Sequence, residues 1–277
     1  MNLSARVEPC ESERDRILLS CDGQTVYAVD RGSWESRSET TLAVLADALS
    51  RIASAPVFDA VLETGDQPRL GSWGFCERDG CDTVAVPDFA FGGWPEVGIP
   101  CYRETMRSLL SASTVPQDRA LFWRGALTNR ERARVVKALA GRTDCDIAEN
   151  QWTQRGKGAQ MDGTAYEPIT ECGKHYALLD MGGCGWSARL RFLLASGRPV
   201  IMLDRPWREW WHRYLRNGEN VLMAQNESEI IAHMRRLLDN PREANEIGAA
   251  GRALVAERCS YCAALARWRA VIIGEAK

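Results

Sequence analysis

Apolar and polar positions alternate along the chain in blocks of two kinds. Compact apolar runs bounded by turn residues predict strands at Thr25 to Val29, Phe58 to Glu63, Thr83 to Val86, Ala120 to Trp123, Pro199 to Leu203 and Asn220 to Met223. Between them the spacing becomes helical: Leu42, Leu45, Leu49 and Ile52 share one face of Thr40 to Ser54, and a further helix is predicted over Arg130 to Leu139. This alternation predicts an α/β fold with mainly parallel sheets. The tail reads as helix alone. Asn226 with Glu229 forms a capping box ahead of Ile230, Ile231, Met234, Leu237 and Leu238, Asn240 and Pro241 fit N-cap and N1 of the next helix, and a last helix runs from about Tyr261 to Ile273. The small, polar segment Ser111 to Asp118 predicts a boundary, giving residues 1–115, residues 116–260 and a C-terminal helix over 261–277.

Composition narrows the class. With 277 residues, 45% hydrophobic and 26% charged, the chain has enough material for a sizeable core without staples. A formal net charge of −2 argues against a nucleic-acid binder that relies on a global basic field, whereas the arginines dense between Arg189 and Arg216 suit a local anion site. No run of about 18 apolar residues occurs and the N-terminus lacks the apolar core of a signal peptide, so a cytoplasmic chain is expected, with membrane contact peripheral at most. The ten cysteines are scattered and read as buried thiols. Cys259 and Cys262 with Cys76 and Cys81 could make a four-thiolate zinc set, but the Cys76 to Cys81 spacing is loose, and His175, His212 and His233 lack ligand spacing.

Three strand-to-loop junctions carry the candidate chemistry. The run from Gly182 to Val200 joins a small-residue loop to a helix start bearing Arg189 and Arg191, a combination of free backbone N–H groups and fixed positive charge that suits a phosphate. Phe122-Trp123-Arg124-Gly125 leads through Thr128 or Asn129, either of which can cap a helix, to Arg132 in its first turn; a cation there opposes the macrodipole and gains more from an anion in front of it. Phe58 to Pro68 reads as a buried strand delivering Asp66 into a turn at its carboxyl end, where α/β sheets gather ligands, although Gly-Asp-x-Pro is also plain turn chemistry. Trp207, Trp210, Trp211 and Tyr214 recur at helical spacing and read as core packing with a polar edge, or else as a platform for a sugar or base. No GxGxxG follows the first strand and neither a Walker sequence nor a GxSxG elbow occurs, which sets aside NAD enzymes, P-loop ATPases and α/β-hydrolases.

In this order the junctions resemble glycosyltransferase family 90, which includes protein O-glucosyltransferases, fungal capsule xylosyltransferases and bacterial lipopolysaccharide-modifying proteins. The likeness runs from about Phe58 to the C-terminus. It rests on the strand ending at Asp66-Gln67-Pro68, on Trp123-Arg124-Gly125 with Arg130-Glu131-Arg132, and on His175 to Asp180 followed by Ser187-Ala188-Arg189. Leu127 and Gly65 depart from the pattern, standing where relatives often carry basic residues. The resemblance implies a GT-B-like fold, two Rossmann-like domains with a cleft between them and C-terminal helices, the acceptor side N-terminal. It implies an inverting, UDP-sugar-dependent transferase that moves glucose or xylose to a hydroxyl of a glycan, lipopolysaccharide or protein. Asp66 would be the general base, and Arg124, Gly125, Thr128, Arg132, Gly185, Trp186, Ser187 and Arg189 would bind the donor. Guanidinium groups and helix amides would neutralise the diphosphate, so no metal and no cofactor beyond the UDP-sugar is expected. A catalytically inactive binding protein of the same fold and a retaining GT-B enzyme fit the same residues.

Overall fold

The computed structural model describes residues 1–33, 36–113, 115–153, 160–162 and 165–275, so Thr114 of the predicted boundary lies outside the described residues. The first half contains β1 (Asn2–Val7), β2 (Arg16–Cys21), β3 (Thr25–Asp30), α1 (Arg37–Leu49), β4 (Phe58–Glu63), the short β5 (Trp73–Gly74), β6 (Glu77–Arg78) and β7 (Val84–Ala85), and α2 (Tyr102–Ser111). Six of these strands form one sheet in the order β1-β3-β2-β4-β5-β7. This sheet is mixed: β1 and β3, β4 and β5, and β5 and β7 pair in parallel, whereas β2 runs antiparallel to both β3 and β4. The turn Asp22-Gly23-Gln24 is too short for the crossover that parallel neighbours need. It is fixed instead as a tight reversal, with Asp22 accepting the N–H groups of Gln24 and Thr25 at 2.9 and 2.8 Å and Gly23 at φ +97°.

The second half meets the parallel expectation. It contains β8 (Leu121–Gly125), α3 (Arg130–Leu139), β9 (Cys145–Glu149), the hairpin strands β10 (Gln151–Trp152) and β11 (Met161–Asp162), β12 (Ala177–Asp180), α4 (Leu190–Ala195), β13 (Val200–Leu203), β14 (Trp207–Arg208) and β15 (Leu222–Ala224). Five strands pair in parallel in the order β15-β13-β12-β8-β9. Every residue of β12 and β13 is buried, as expected of strands covered on both faces. Counted from β8, this is the order 2-1-3-4-5, whose chain direction switches between β8 and β12. Such a switch point opens a crevice at the carboxyl ends of those two strands.

The tail helices α5 (Glu227–Asp239), α6 (Pro241–Arg258) and α7 (Tyr261–Ile272) begin at Asn226, Asn240 and Ser260, each of which accepts a backbone N–H from the first turn. The last helix crosses back to cover the first sheet: Trp268 packs edge-on against Trp73, and Arg267 donates to the Ala85 carbonyl at 2.9 and 2.7 Å. A hydrophobic cluster runs through both halves, joining Phe75 and Tyr102 to Trp186 and Phe192. The helical spacing of Trp207 to Tyr214 misleads, since the segment is β14, paired with β6, and then a 3-10 turn at His212–Tyr214. Trp210 and Trp211 are buried, so the core-packing reading fits them. Among the described residues no helix is long and apolar enough to cross a membrane.

Gly197, at φ +76°, ends α4 and turns the chain into β13, and α6 lies directly on this turn. A Cβ on Gly248 would strike the Gly197 carbonyl, and one on Gly251 would come within 2.8 Å of the Asn220 oxygen. Gly248→Ala should therefore destabilise the chain by about 1–3 kcal/mol despite alanine's better helix propensity. Urea unfolding should show a lower midpoint at unchanged m; an equal or higher midpoint would contradict this packing.

Candidate functional site

The loop after β8 is shaped by a tryptophan. Trp123 is buried, and a Cβ on Gly125 would lie 2.8 Å from its indole ring, so glycine at 125 is required by packing as well as by any ligand. Asn129, not Thr128, caps α3: its Oδ1 accepts the Arg132 N–H at 2.8 Å, and its Nδ2 reaches across to the Gly182 carbonyl at 3.2 Å. The cap thus sets the Arg132 backbone and ties this loop to the one after β12. The Arg132 side chain turns back along the loop and donates to the carbonyls of Ala126 at 2.9 Å and Met181 at 2.7 Å.

The loop after β12 supplies the second cation. Asp180, at the end of the strand, is fully buried between the Ser187 hydroxyl at 2.6 Å and Arg205 at 2.7 Å. Burial acts to push its carboxyl up, but Arg205 and Ser187 prevail and hold it below the usual carboxylate range. This latch fixes the path from Gly182 to Arg189. Arg189 donates to the Arg124 carbonyl, and its guanidinium and that of Arg132 lie 5.9 and 5.8 Å from the centroid of the Trp123 ring. Arg191 does not join them. It points into the core and pairs with Asp88 and Glu209, so the expectation of two anion-site arginines on this helix start is corrected to one.

The third junction arrives from the first sheet. Asp66 follows β4 in a bend, and its carbonyl packs so closely on Gly185 that any Cβ there would overlap it. Gly185 therefore lets the β4 and β12 loops touch. The Asp66 carboxylate is paired with Arg37 of α1 at 2.9 Å, and Arg37 lies over the Phe89 ring. Asp66, Arg124, Gly125, Thr128, Arg132, Trp186, Ser187 and Arg189 line a single cleft, and Gly185 sits against its Asp66 wall. The thiol of Cys184, on the rim, is pushed up by burial and then by Asp66, with Arg132 and Arg37 pulling the other way. Carboxylate and guanidinium groups from both halves thus line one cleft.

The electrostatics of the cleft are unbalanced. Among the described residues neither Arg132 nor Arg189 forms an ion pair, and Arg132 Nε and Arg189 Nη2 are enclosed without a hydrogen-bond partner. Burial, and then the neighbouring Arg189, push the Arg132 guanidinium down; burial likewise lowers Arg189. An arginine nevertheless stays charged at neutral pH, so the cleft floor holds two cations whose hydrogen-bonding capacity is incompletely used. Arg124 differs, because its guanidinium is clamped by both Asp146 oxygens at 2.8 and 2.9 Å. Asp144-Cys145-Asp146 also spells a D-x-D triplet, which bears on the expectation of no metal, and its two carboxylates are paired with Arg142 and Arg124. Among the described residues no three of His, Cys, Asp and Glu are gathered as a metal would need.

Sequence reasoning missed three contributors. Arg37 carries no local signal, because its pairing with Asp66 exists only in the folded chain. Asp88 accepts from the Trp186 indole at 3.1 Å and fixes that wall of the cleft, and Asn150 lines the cleft beyond β9.

The model of the glycosyl transferase family 90 matches residues 47–262, a span holding Asp66, Arg132 and Arg189. The chain belongs to glycosyl transferase family 90. Arg37 lies before the matched span. No curated protein matches the chain. Among solved structures it is similar to HepE of Anabaena in complex with UDP, at 10% identity over 62% of this chain and 44% of that one, with a TM-score of 0.37. It is also similar to sucrose-phosphate synthase of Thermosynechococcus elongatus, at 17% identity over 59% and 40%, with a TM-score of 0.36. The matched region spans less than half of either neighbour.

An unneutralised pair of guanidinium groups should bind inorganic pyrophosphate. At ten times its Kd this anion should stabilise the chain by about 1.4 kcal/mol and raise Tm by about 3 °C. The double variant Arg132→Met, Arg189→Met should lose the shift in a thermal melt; an undiminished shift would place the anion elsewhere.

Proposed function

We propose that this family 90 chain is an inverting glycosyltransferase that moves a sugar, glucose or xylose, from a UDP-sugar to an acceptor hydroxyl of a glycan, lipopolysaccharide or protein. The observation that carries the reading is the pair of enclosed cations, Arg132 and Arg189, which form no ion pair among the described residues, at a strand switch point in one cleft with the Asp66 carboxylate. The two sheets serve as the two lobes of a GT-B arrangement, the first presenting the acceptor and the second the donor.

In this mechanism the acceptor hydroxyl gives its proton to Asp66 while its oxygen attacks the anomeric carbon. The bond from that carbon to the β-phosphate oxygen breaks, and UDP leaves with the electron pair. Negative charge grows on the diphosphate as the bond lengthens, and Arg132 and Arg189, already aimed and poorly solvated, stabilise it there. Arg37 holds the Asp66 carboxylate in place for the proton. Trp94, Val97 and Ile99 line the same cleft and offer an apolar wall for the face of an acceptor sugar ring. Two guanidinium groups and the backbone N–H groups of the loops do the work a divalent ion would otherwise do, so the reaction proceeds without one.

UDP release from UDP-glucose or UDP-xylose, with a lipopolysaccharide core oligosaccharide as acceptor, tests this reading. Asp66→Asn should lower kcat by about 10²–10⁴-fold while UDP affinity stays within about threefold, and EDTA should leave the wild-type rate unchanged. NMR of the product should show the anomeric configuration inverted from that of the donor. Normal turnover by Asp66→Asn, a retained configuration or silencing by EDTA would each overturn the mechanism.

A further inference from the structure

The cleft lining includes another enclosed polar group, contributed by the loop after β9. Asn150 follows the last residue of β9 and is only 2% exposed, yet its Oδ1 is enclosed with no hydrogen-bond partner among the described residues. A buried amide oxygen without a donor is unfavourable by itself, and native chains rarely leave one. Asn150 lines the cleft, whereas its neighbour Glu149 is exposed and does not. The Asn150 N–H donates to the Gly125 carbonyl at 3.0 Å, which seats this residue against the same loop that leads to Arg132. The orphan amide thus belongs to a residue whose backbone is held against the β8 loop, in the same cleft as Arg132 and Arg189.

Its place in the sheet says which part of the ligand it meets. In dinucleotide-binding doubly wound folds an acidic residue beyond the phosphate-binding loop of the first strand, at the end of the second, accepts a hydrogen bond from a ribose hydroxyl, and an amide oxygen in that place can accept likewise. In the order 2-1-3-4-5, β9 is the second strand and β8 the first, and Asn150 occupies that position. Ribose is also the group one linkage beyond the α-phosphate. Trp152 and Met161, cross-strand neighbours on β10 and β11, line the same cleft and add apolar surface to it.

We infer that Asn150 is a specificity-determining residue that accepts a hydrogen bond from a ribose hydroxyl of the donor nucleotide and so selects ribonucleotides over deoxynucleotides. This rests on the nucleotide-sugar reading of the cleft. A hydroxyl donates its proton to the amide oxygen, and a deoxyribose at the same place leaves that oxygen buried and unpaired. The discrimination comes from what the wrong ligand fails to satisfy.

Calorimetric titration of the full chain with UDP, 2′-deoxy-UDP and 3′-deoxy-UDP tests it. The wild type should bind one of the two deoxy analogues about tenfold more weakly than UDP. In Asn150→Ala that ratio should fall to within about twofold. Asn150→Asp keeps an acceptor oxygen and should keep the preference, while binding all three more weakly because its charge faces the diphosphate. Equal binding of all three by the wild type would overturn the inference, and this arm needs no variant to fold. Persistence of the full ratio in Asn150→Ala would also overturn it, by assigning the hydroxyl to another residue. If UDP itself fails to bind the wild type, the nucleotide reading falls and takes this inference with it, an outcome distinct from UDP binding without discrimination.

Discussion

Two guanidinium groups share one tryptophan, and among the described residues neither forms an ion pair with a carboxylate. That imbalance between Arg132 and Arg189 is the constraint around which the second half of the chain is built. Positive charges held close together in a poorly solvated cleft repel, and the fold keeps them there only by giving each a backbone partner: Ala126 and Met181 for Arg132, Arg124 for Arg189. Carbonyls orient a guanidinium without cancelling its charge. A carboxylate in the same place would neutralise the site and leave nothing for an anion to do.

The surrounding contacts hold this unfavourable arrangement in place. Asp180 could have answered the cations, but Arg205 and Ser187 occupy both of its oxygens, so its charge fixes the β12 loop. Asp88 and Glu209 do the corresponding work deeper in, where they bind Arg191 and, through Asp88, the Trp186 wall. Asn129 joins the β8 and β12 loops with one side chain, and glycine at 185 allows the Asp66 bend to touch them. The continuous hydrophobic cluster between the halves fixes where Asp66 stands relative to the cations.

What could be read from the sequence follows from how local each signal is. Asp66, Gly125, Arg132 and Arg189 stand at strand ends and helix starts, where a few neighbouring residues announce the junction, and all four line or bound the cleft. Arg191 was misjudged because two residues along a helix turn the side chain by about 200°, sending it into the core while Arg189 faces the crevice. The strands β1 and β2 escaped notice although both alternate: Leu3, Ala5 and Val7 share one face of β1, which lies mostly exposed at the sheet edge, and β2 carries its buried Ile17, Leu19 and Cys21 in a run of only six residues. Arg37, Asp88 and Asn150 gave no signal at all. Each acquires its meaning from a partner or a vacancy that only the tertiary fold creates.

The central claim is that the diphosphate of a nucleotide supplies the missing counter-charge for Arg132 and Arg189. A crystal structure of the chain soaked with UDP tests it most directly. The account predicts phosphate oxygens within hydrogen-bond distance of both guanidinium groups, with the β-phosphate on the side of Asp66. UDP bound with its phosphates away from these two arginines would contradict it.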